Sequence, residues 1–150
     1  MSLRLSWNDY FMEICKLIAQ RSSCLSRKVG AIIVKDNKIL ATGYNGSPIG
    51  LENCCDRGYC LRKGSKSGEN LGTCMAVHAE ENSILQCAKN GVSCEGATIY
   101  VTTYPCSNCM KSIIQREKQC LVCGNYQVEE HHCIYGTANR KKKKKYGLKV

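Results

Sequence analysis

Large apolar residues recur at helical spacing early in the chain: Trp7, Tyr10, Phe11, Ile14, Leu17 and Ile18. That stripe, preceded by Ser6 with Asp9 three residues on as a capping-box pattern, predicts an amphipathic helix over 7–21. The period then shortens. The runs "VGAIIV" (29–34) and "KILATGY" (38–44) are rich in β-formers and flank "KDN", which reads as a hairpin. Glycine and polar residues dominate 43–72, so a long loop is expected there, of the kind that is usually functional or tied by metal. A second helix is expected over 77–89, stopped by Asn90-Gly91. "ATIYVTT" (97–103) predicts a strand, Pro105 a turn, "SNCMKSIIQ" (107–115) a short helix and "QCLVCG" (119–124) a further strand. The order of helix, hairpin, helix, strand, helix and strand predicts a layered α/β domain with a mixed sheet.

Composition narrows the class without naming a function. The 150 residues suit one domain with a real core, and 43% apolar with 23% charged residues is ordinary for a globular protein. No run is long and apolar enough to span a bilayer, and no secretory pattern marks the N-terminal residues. An intracellular, cytoplasmic protein with no membrane partner is expected. The formal charge of +10 is misleading. Without "RKKKKKYGLKV" (140–150) it falls to +3, so the body is nearly balanced. The expected division is a domain over 1–139 and a basic, solvated tail over 140–150, with nuclear targeting or loose nucleic-acid contact as the sharper readings of the tail. A near-neutral body makes nucleic acid an unlikely main partner. Thirteen cysteines, an odd number in a chain expected to be intracellular, do not suggest a disulfide framework; they point to metal ligands and small buried hydrophobes.

The chemistry concentrates in two short stretches. Cys106 and Cys109, after Pro105, form a Cys-x-x-Cys where a helix is expected to begin, so the helix N-terminus and a metal together would favour thiolates. Two thiolates leave a tetrahedral zinc two open places. One imidazole would leave a single place for water, the open arrangement of a catalytic site. His78 can be that third ligand: the other two of the chain's three histidines sit side by side at 131 and 132. Glu80 then need not bind metal and can move protons. "HAE" (78–80) with "PCSNC" (105–109) matches the H-x-E…P-C-x-x-C signature of zinc-dependent nucleobase deaminases. A rival pattern exists. Cys120 and Cys123 extend the pair to C-x2-C-x10-C-x2-C, which resembles a zinc ribbon and would make the chain a nucleic-acid-binding module.

With "VGAIIVKDNKILATGYNGSPIG" (29–50), "NCCD" (53–56), "HAEENSIL" (78–85) and "GATIYVTTYPCSNC" (96–109), the chain resembles the deoxycytidylate (dCMP) deaminase family over about Ser6 to Tyr126. The resemblance implies a three-layer, cytidine-deaminase-like domain, its central mixed sheet flanked by helices. It implies zinc-dependent hydrolysis of dCMP to dUMP, extending to dCTP, which supplies dUMP for thymidylate synthesis. Glu80 is then the proton carrier, and Asn45, Ala79 and Arg27 contact the substrate, Asn45 at the sugar and Arg27 at the 5′-phosphate. A homohexamer, activation by dCTP, inhibition by dTTP and Mg2+ beside a nucleotide effector are also implied. A second, structural zinc is implied at Cys24 and Cys54. The histidines that complete it in some members are absent here, which leaves Cys60 and Cys74 as candidates. Two departures stand out: Ser26 precedes Arg27 where the family has a basic residue, and "IIQREKQCLVC" replaces a helix ending in Ala-Gly-Ile. A tRNA or cytosine deaminase would share the zinc motif.

Overall fold

Helix α1 spans Trp7–Ala19 and is opened by Ser6, whose hydroxyl oxygen accepts the Asp9 amide at 3.1 Å. The computed structural model describes residues 4–66, 69–115 and 121–123. The buried face of α1 is rotated from the one its bulky residues suggest. Phe11, Met12, Cys15 and Ala19 are buried, whereas Trp7, Tyr10 and Leu17 are exposed, Leu17 at 64%. Gly30 explains the rotation. A Cβ there would run into the Cys15 carbonyl oxygen and sit 2.7 Å from the Ala19 nitrogen. Where the helix lies on the sheet backbone, only small side chains fit, so Cys15 and Ala19 take the contact.

Strands β1 (Gly30–Lys35) and β2 (Lys38–Tyr44) form the expected antiparallel hairpin. Its turn is the pair Asp36-Asn37, both at positive φ (49° and 59°), a two-residue geometry that matches strand twist and that Asp and Asn tolerate. Strand β3 (Thr98–Val101) pairs antiparallel with the other edge of β1, and β4 (Leu121–Cys123) runs parallel to β3. The order β2-β1-β3-β4 is therefore mixed, as the sequence pattern implies. Helix α2 (Cys54–Arg57) is a single turn inside the long loop, α3 covers Ala79–Lys89, and α4 (Ser107–Gln115) joins β3 to β4.

Strand β1 is the middle of three layers. Ala31 and Ile33 face a core with Ile99, Val101, Cys87, Met110 and Ile113, while Ile32 and Val34 face Phe11, Met12, Cys15 and Tyr100. Helix α1 covers one face, α3 and α4 the other. The unbroken apolar run of β1 reflects burial on both sides, and each fully buried side chain such as Ile32 or Ile33 contributes about 1.5–3 kcal/mol by leaving water. The 43–72 segment is less irregular than expected. Besides α2, ended by Gly58 at φ 80°, it runs into a 3-10 turn at Leu71–Thr73. The 140–150 run, the boundary at 139, Cys120 and both C-terminal histidines lie outside the described residues. Among the described residues no helix is long and apolar enough to cross a membrane.

Candidate functional site

Helix α3 begins one residue after His78, which occupies the N-cap position with an extended backbone and makes no side-chain cap. An imidazole is a poor N-cap, and here it is released to point elsewhere. Three contacts fix this helix start against β2. Gly46 and Val77 exchange backbone hydrogen bonds (3.3 and 2.9 Å), and Asn82 donates to the Tyr44 carbonyl at 2.8 Å. The third is steric: a Cβ on Gly43 would collide with the Ala79 carbonyl oxygen and lie 2.6 Å from the Ser83 nitrogen. Gly43→Ala is therefore expected to cost about 1–3 kcal/mol of stability by overpacking, read as a lower denaturant midpoint with reduced metal retention. An unchanged midpoint would show that α3 shifts freely and that Gly43 does not hold its position.

The end of β3 delivers the second half. Gly30 N–H donates to Thr102 Oγ1 at 3.1 Å, and Thr102 N–H returns to the Gly30 carbonyl at 3.0 Å, locking the exit of the strand. The buried Pro105 follows, and the Cys106 carbonyl accepts from Met110 N–H at 2.9 Å, so Cys106 is the cap of α4 and Cys109 lies in its first turn. His78 Nδ1 stands 3.4 Å from Cys106 Sγ and 3.3 Å from Cys109 Sγ, and all three ligand atoms lie within 4.8 Å of one another. A tetrahedral zinc with ordinary Zn–N and Zn–S bonds sets nitrogen and sulfur about 3.5 Å apart, so the donor set fits that ion. Cys106 and Cys109 thus begin a helix facing an imidazole, not a ribbon knuckle.

The electrostatics agree with a shared cation site. Hydrogen bonds from Cys109 and His78 lower the Cys106 pKa to about 3 against burial, leaving a thiolate. Cys109 is pushed up, first by its hydrogen bond to Cys106 and then by burial. His78 is raised by the hydrogen bond to Cys106, partly offset by burial, with the charges of Cys106, Glu80 and Glu81 adding to it. The N-termini of α3 and α4 both converge on the trio, and their dipoles favour negative sulfur. Glu80, one residue into α3, is only 3% exposed. Burial raises its pKa, opposed by a hydrogen bond from its own backbone and by the His78 charge. Among the described residues the ion pairs are Lys16–Glu13 and Arg57–Glu52, and Glu80 is in neither.

His78, Cys106 and Glu80 line a cleft of about 580 Å³, within the range of small-ligand sites. Ala79, Asn45 and Arg27 line it too, together with Cys24 and Cys74. Asn45 is largely consumed by the scaffold. Its Oδ1 accepts from Val29 N–H (2.8 Å) and the Ser22 hydroxyl (2.6 Å), and its Nδ2 donates to the Arg27 carbonyl (2.8 Å). It braces the 22–29 segment and keeps one amide hydrogen for a ligand. Arg27 is exposed at the rim, 3.5 Å from Thr103 Oγ1. Sequence reasoning missed Arg62, Ser65 and Lys66, which also line the cleft. The signal was a pair of cations four apart inside a segment already marked as functional.

Cys24, Cys54, Cys60 and Cys74 share a neighbourhood. Burial raises the Cys54 pKa, and the charges of the other three sulfurs raise it further, while Arg57 opposes. Yet among the described residues only His78, Cys106 and Cys109 reach the mutual spacing of a metal site. The four sulfurs stand wider apart than a zinc tetrahedron requires, where sulfurs lie about 3.8 Å from one another.

Residues 5–125 match the family model described as the cytidine and deoxycytidylate deaminase zinc-binding region. The chain is 43% identical over 113 residues to a protein of Saccharomyces cerevisiae named deoxycytidylate deaminase, which covers 75% of this chain and 36% of that protein. It is 50% identical over 112 residues to ComE operon protein 2 of Bacillus subtilis, with 75% and 56% covered. The chain thus spans less than two thirds of the length of either curated relative. Among solved structures, the dCMP deaminase of cyanophage S-TIM5 in complex with dCMP and dUMP aligns at a TM-score of 0.66 and 33% identity, over 81% of this chain and 83% of that one.

Proposed function

We infer the reaction from one premise: the chain belongs to the cytidine and deoxycytidylate deaminase family. On that premise the protein is a hydrolase that replaces the exocyclic amine of dCMP with oxygen, giving dUMP and ammonia, with dCTP a further substrate of the same site. The observation that carries this reading is the His78, Cys106 and Cys109 trio with the buried Glu80 beside it. The S-TIM5 relative, crystallised with dCMP and dUMP, supports the choice of nucleotide.

His78, Cys106 and Cys109 would hold the zinc. When bound, zinc supplies the Lewis acidity that makes water available as a nucleophile near neutral pH. Glu80 takes a proton from the attacking water and delivers it to the ring nitrogen beside the reacting carbon. It then takes the remaining proton from the oxygen now bonded to that carbon and passes it to the departing amine as the carbon–nitrogen bond breaks. A carboxylate raised toward neutrality by burial and free of a permanent ion pair can both accept and donate. Ala79 borders the cleft at the same helix start, where its position lets backbone groups meet the base. Ammonia release measured across dCMP, dCTP, cytidine, cytosine and an RNA hairpin tests the reading. The highest kcat/KM is expected with dCMP; turnover confined to cytosine or the hairpin would overturn it.

A second, structural zinc at Cys24, Cys54, Cys60 and Cys74 is the finer part of the proposal. It is supported by the mutual influence of the four thiols, and it requires the loop to draw them together. Purified protein is expected to carry two zinc ions per chain, falling to one in Cys54→Ser combined with Cys60→Ser while deamination persists. One ion in the wild type would refute the second site. A homohexamer regulated by dCTP and dTTP, with Mg2+ beside the effector, completes the reading. The exposed Trp7, Tyr10 and Leu17 on one side of α1 support self-association.

A further inference from the structure

Ser22 is buried, at 6% exposed, yet it belongs to neither hydrophobic cluster. Its place is set by α1. The helix ends in tightening turns, in which Gln20, Arg21 and Ser22 N–H donate to the carbonyls of Leu17, Ile18 and Ala19 at 3.1, 3.0 and 3.0 Å. Ala19 in turn lies against Gly30, so the packing of α1 carries Ser22 to the start of β1. There Ser22 Oγ accepts the Cys24 N–H at 3.2 Å, which leaves its own hydrogen to donate. The acceptors it meets both belong to Asn45: Oδ1 at 2.6 Å and the main-chain carbonyl at 2.7 Å.

The contacts of Asn45 show what that hydroxyl adds. Val29 N–H can only donate and the Arg27 carbonyl can only accept, so Oδ1 faces Val29 and Nδ2 faces Arg27. Those two bonds decide which end of the amide is which. They leave it free to tilt about the line that joins them. Ser22 supplies a third contact, and with Val29 it fills both lone pairs of Oδ1. The backbone is held as well: Asn45 N–H donates to the Val29 carbonyl at 3.2 Å, and Gly46 bridges to Val77, next to His78. Asn45 lines the cleft, so a fixed tilt gives its second Nδ2 hydrogen one direction there. A donor aimed in advance spends less binding energy on ordering.

We propose that Ser22 is a positioning residue, which holds the Asn45 amide so that its free N–H meets the 3′-hydroxyl oxygen of the substrate's sugar. This rests on the deaminase reading above and adds to it the group that sets the sugar's orientation. The sugar of dCMP offers one free hydroxyl, since C2′ carries none and the C5′ oxygen is esterified. A hydroxyl caught by a donor of fixed direction limits rotation of the whole nucleotide, and so the placing of its base toward His78 and Cys106.

The test compares dCMP with its 3′-deoxy analogue in the wild type, Ser22→Ala, Ser22→Cys and Ser22→Thr, and measures binding of dUMP and 3′-deoxy-dUMP by calorimetry. In the wild type, loss of the 3′-hydroxyl is expected to lower kcat/KM about 10-fold, chiefly through KM. In Ser22→Ala that ratio should shrink to about 2-fold or less, because the amide no longer keeps one tilt. Ser22→Thr retains a hydroxyl and should retain the ratio. Ser22→Cys is close to serine in size but a weak donor, so it should lose the ratio as alanine does, which keeps the test readable if the alanine variant folds poorly. Equal losses on both substrates would make Ser22 purely structural and overturn the inference. So would a cysteine variant with the wild-type ratio, or a wild type indifferent to the 3′-hydroxyl. The calorimetry needs no turnover. If no protein releases ammonia but dUMP still outbinds its 3′-deoxy form in a Ser22-dependent way, the positioning role stands and the reaction reading falls.

Discussion

Glu80→Gln is expected to lower turnover of dCMP by at least about 10²–10⁴-fold while leaving zinc content and thermal stability near wild type. Glutamine has nearly the volume of glutamate, so the 3% exposed pocket beside the trio stays filled. Replacing a buried carboxylate with a neutral amide also removes a desolvation cost, which works against any loss of fold. What disappears is the ability to accept a proton from water and give it to the ring and then to the amine. His78, Cys106 and Cys109 are the residues spaced to hold a metal without a carboxylate, so the metal should remain. Metal analysis and steady-state rates on the same preparation decide the matter: zinc lost with activity would make Glu80 a ligand, and activity kept would remove it from the mechanism.

Cys106→Ala is expected to reduce zinc by one ion per chain and bring deamination below detection. Cys106 sits at the cap of α4 and is only half-buried, so its removal leaves both hydrophobic clusters intact. With one thiolate and one imidazole remaining, the site loses a third of its donor set and the depressed sulfur that anchors it. Because the chain is rich in thiols, the control matters. Cys55→Ser removes an exposed sulfur, and metal content and rate should not change. If Cys106→Ala retained its full zinc, the catalytic metal would have to be held by other cysteines.

The elements that carry this site were legible because each has a strong local signature. Asn90-Gly91 stopped α3, Pro105 marked the approach to α4, and the β-formers on either side of "KDN" marked the β1–β2 hairpin. The pairing of His78 with Cys106 and Cys109 could be reasoned from ligand number alone, since one imidazole and two thiolates leave a zinc one open place. Packing against the backbone was not legible. Nothing in a count of large apolar residues says that Cys15 and Ala19, and not Trp7 and Leu17, face the sheet; that follows from Gly30 lying beneath the helix. The bracing role of Asn45 was hidden for a related reason: its side chain hydrogen-bonds Ser22, Arg27 and Val29, which precede it in sequence by up to 23 residues. For Arg62 and Lys66 the only signal was their spacing within the 43–72 segment, because a cation in a loop is ordinary until the turn that places it is known.

The most direct test of the account measures ammonia released from dCMP by one preparation in three states: as purified, after exhaustive chelation, and after zinc is returned. The account predicts deamination in the first state, none in the second, and recovery in the third that tracks the zinc bound at His78, Cys106 and Cys109. Undiminished activity in the fully chelated protein, or zinc bound at those three residues without ammonia from dCMP, would contradict it.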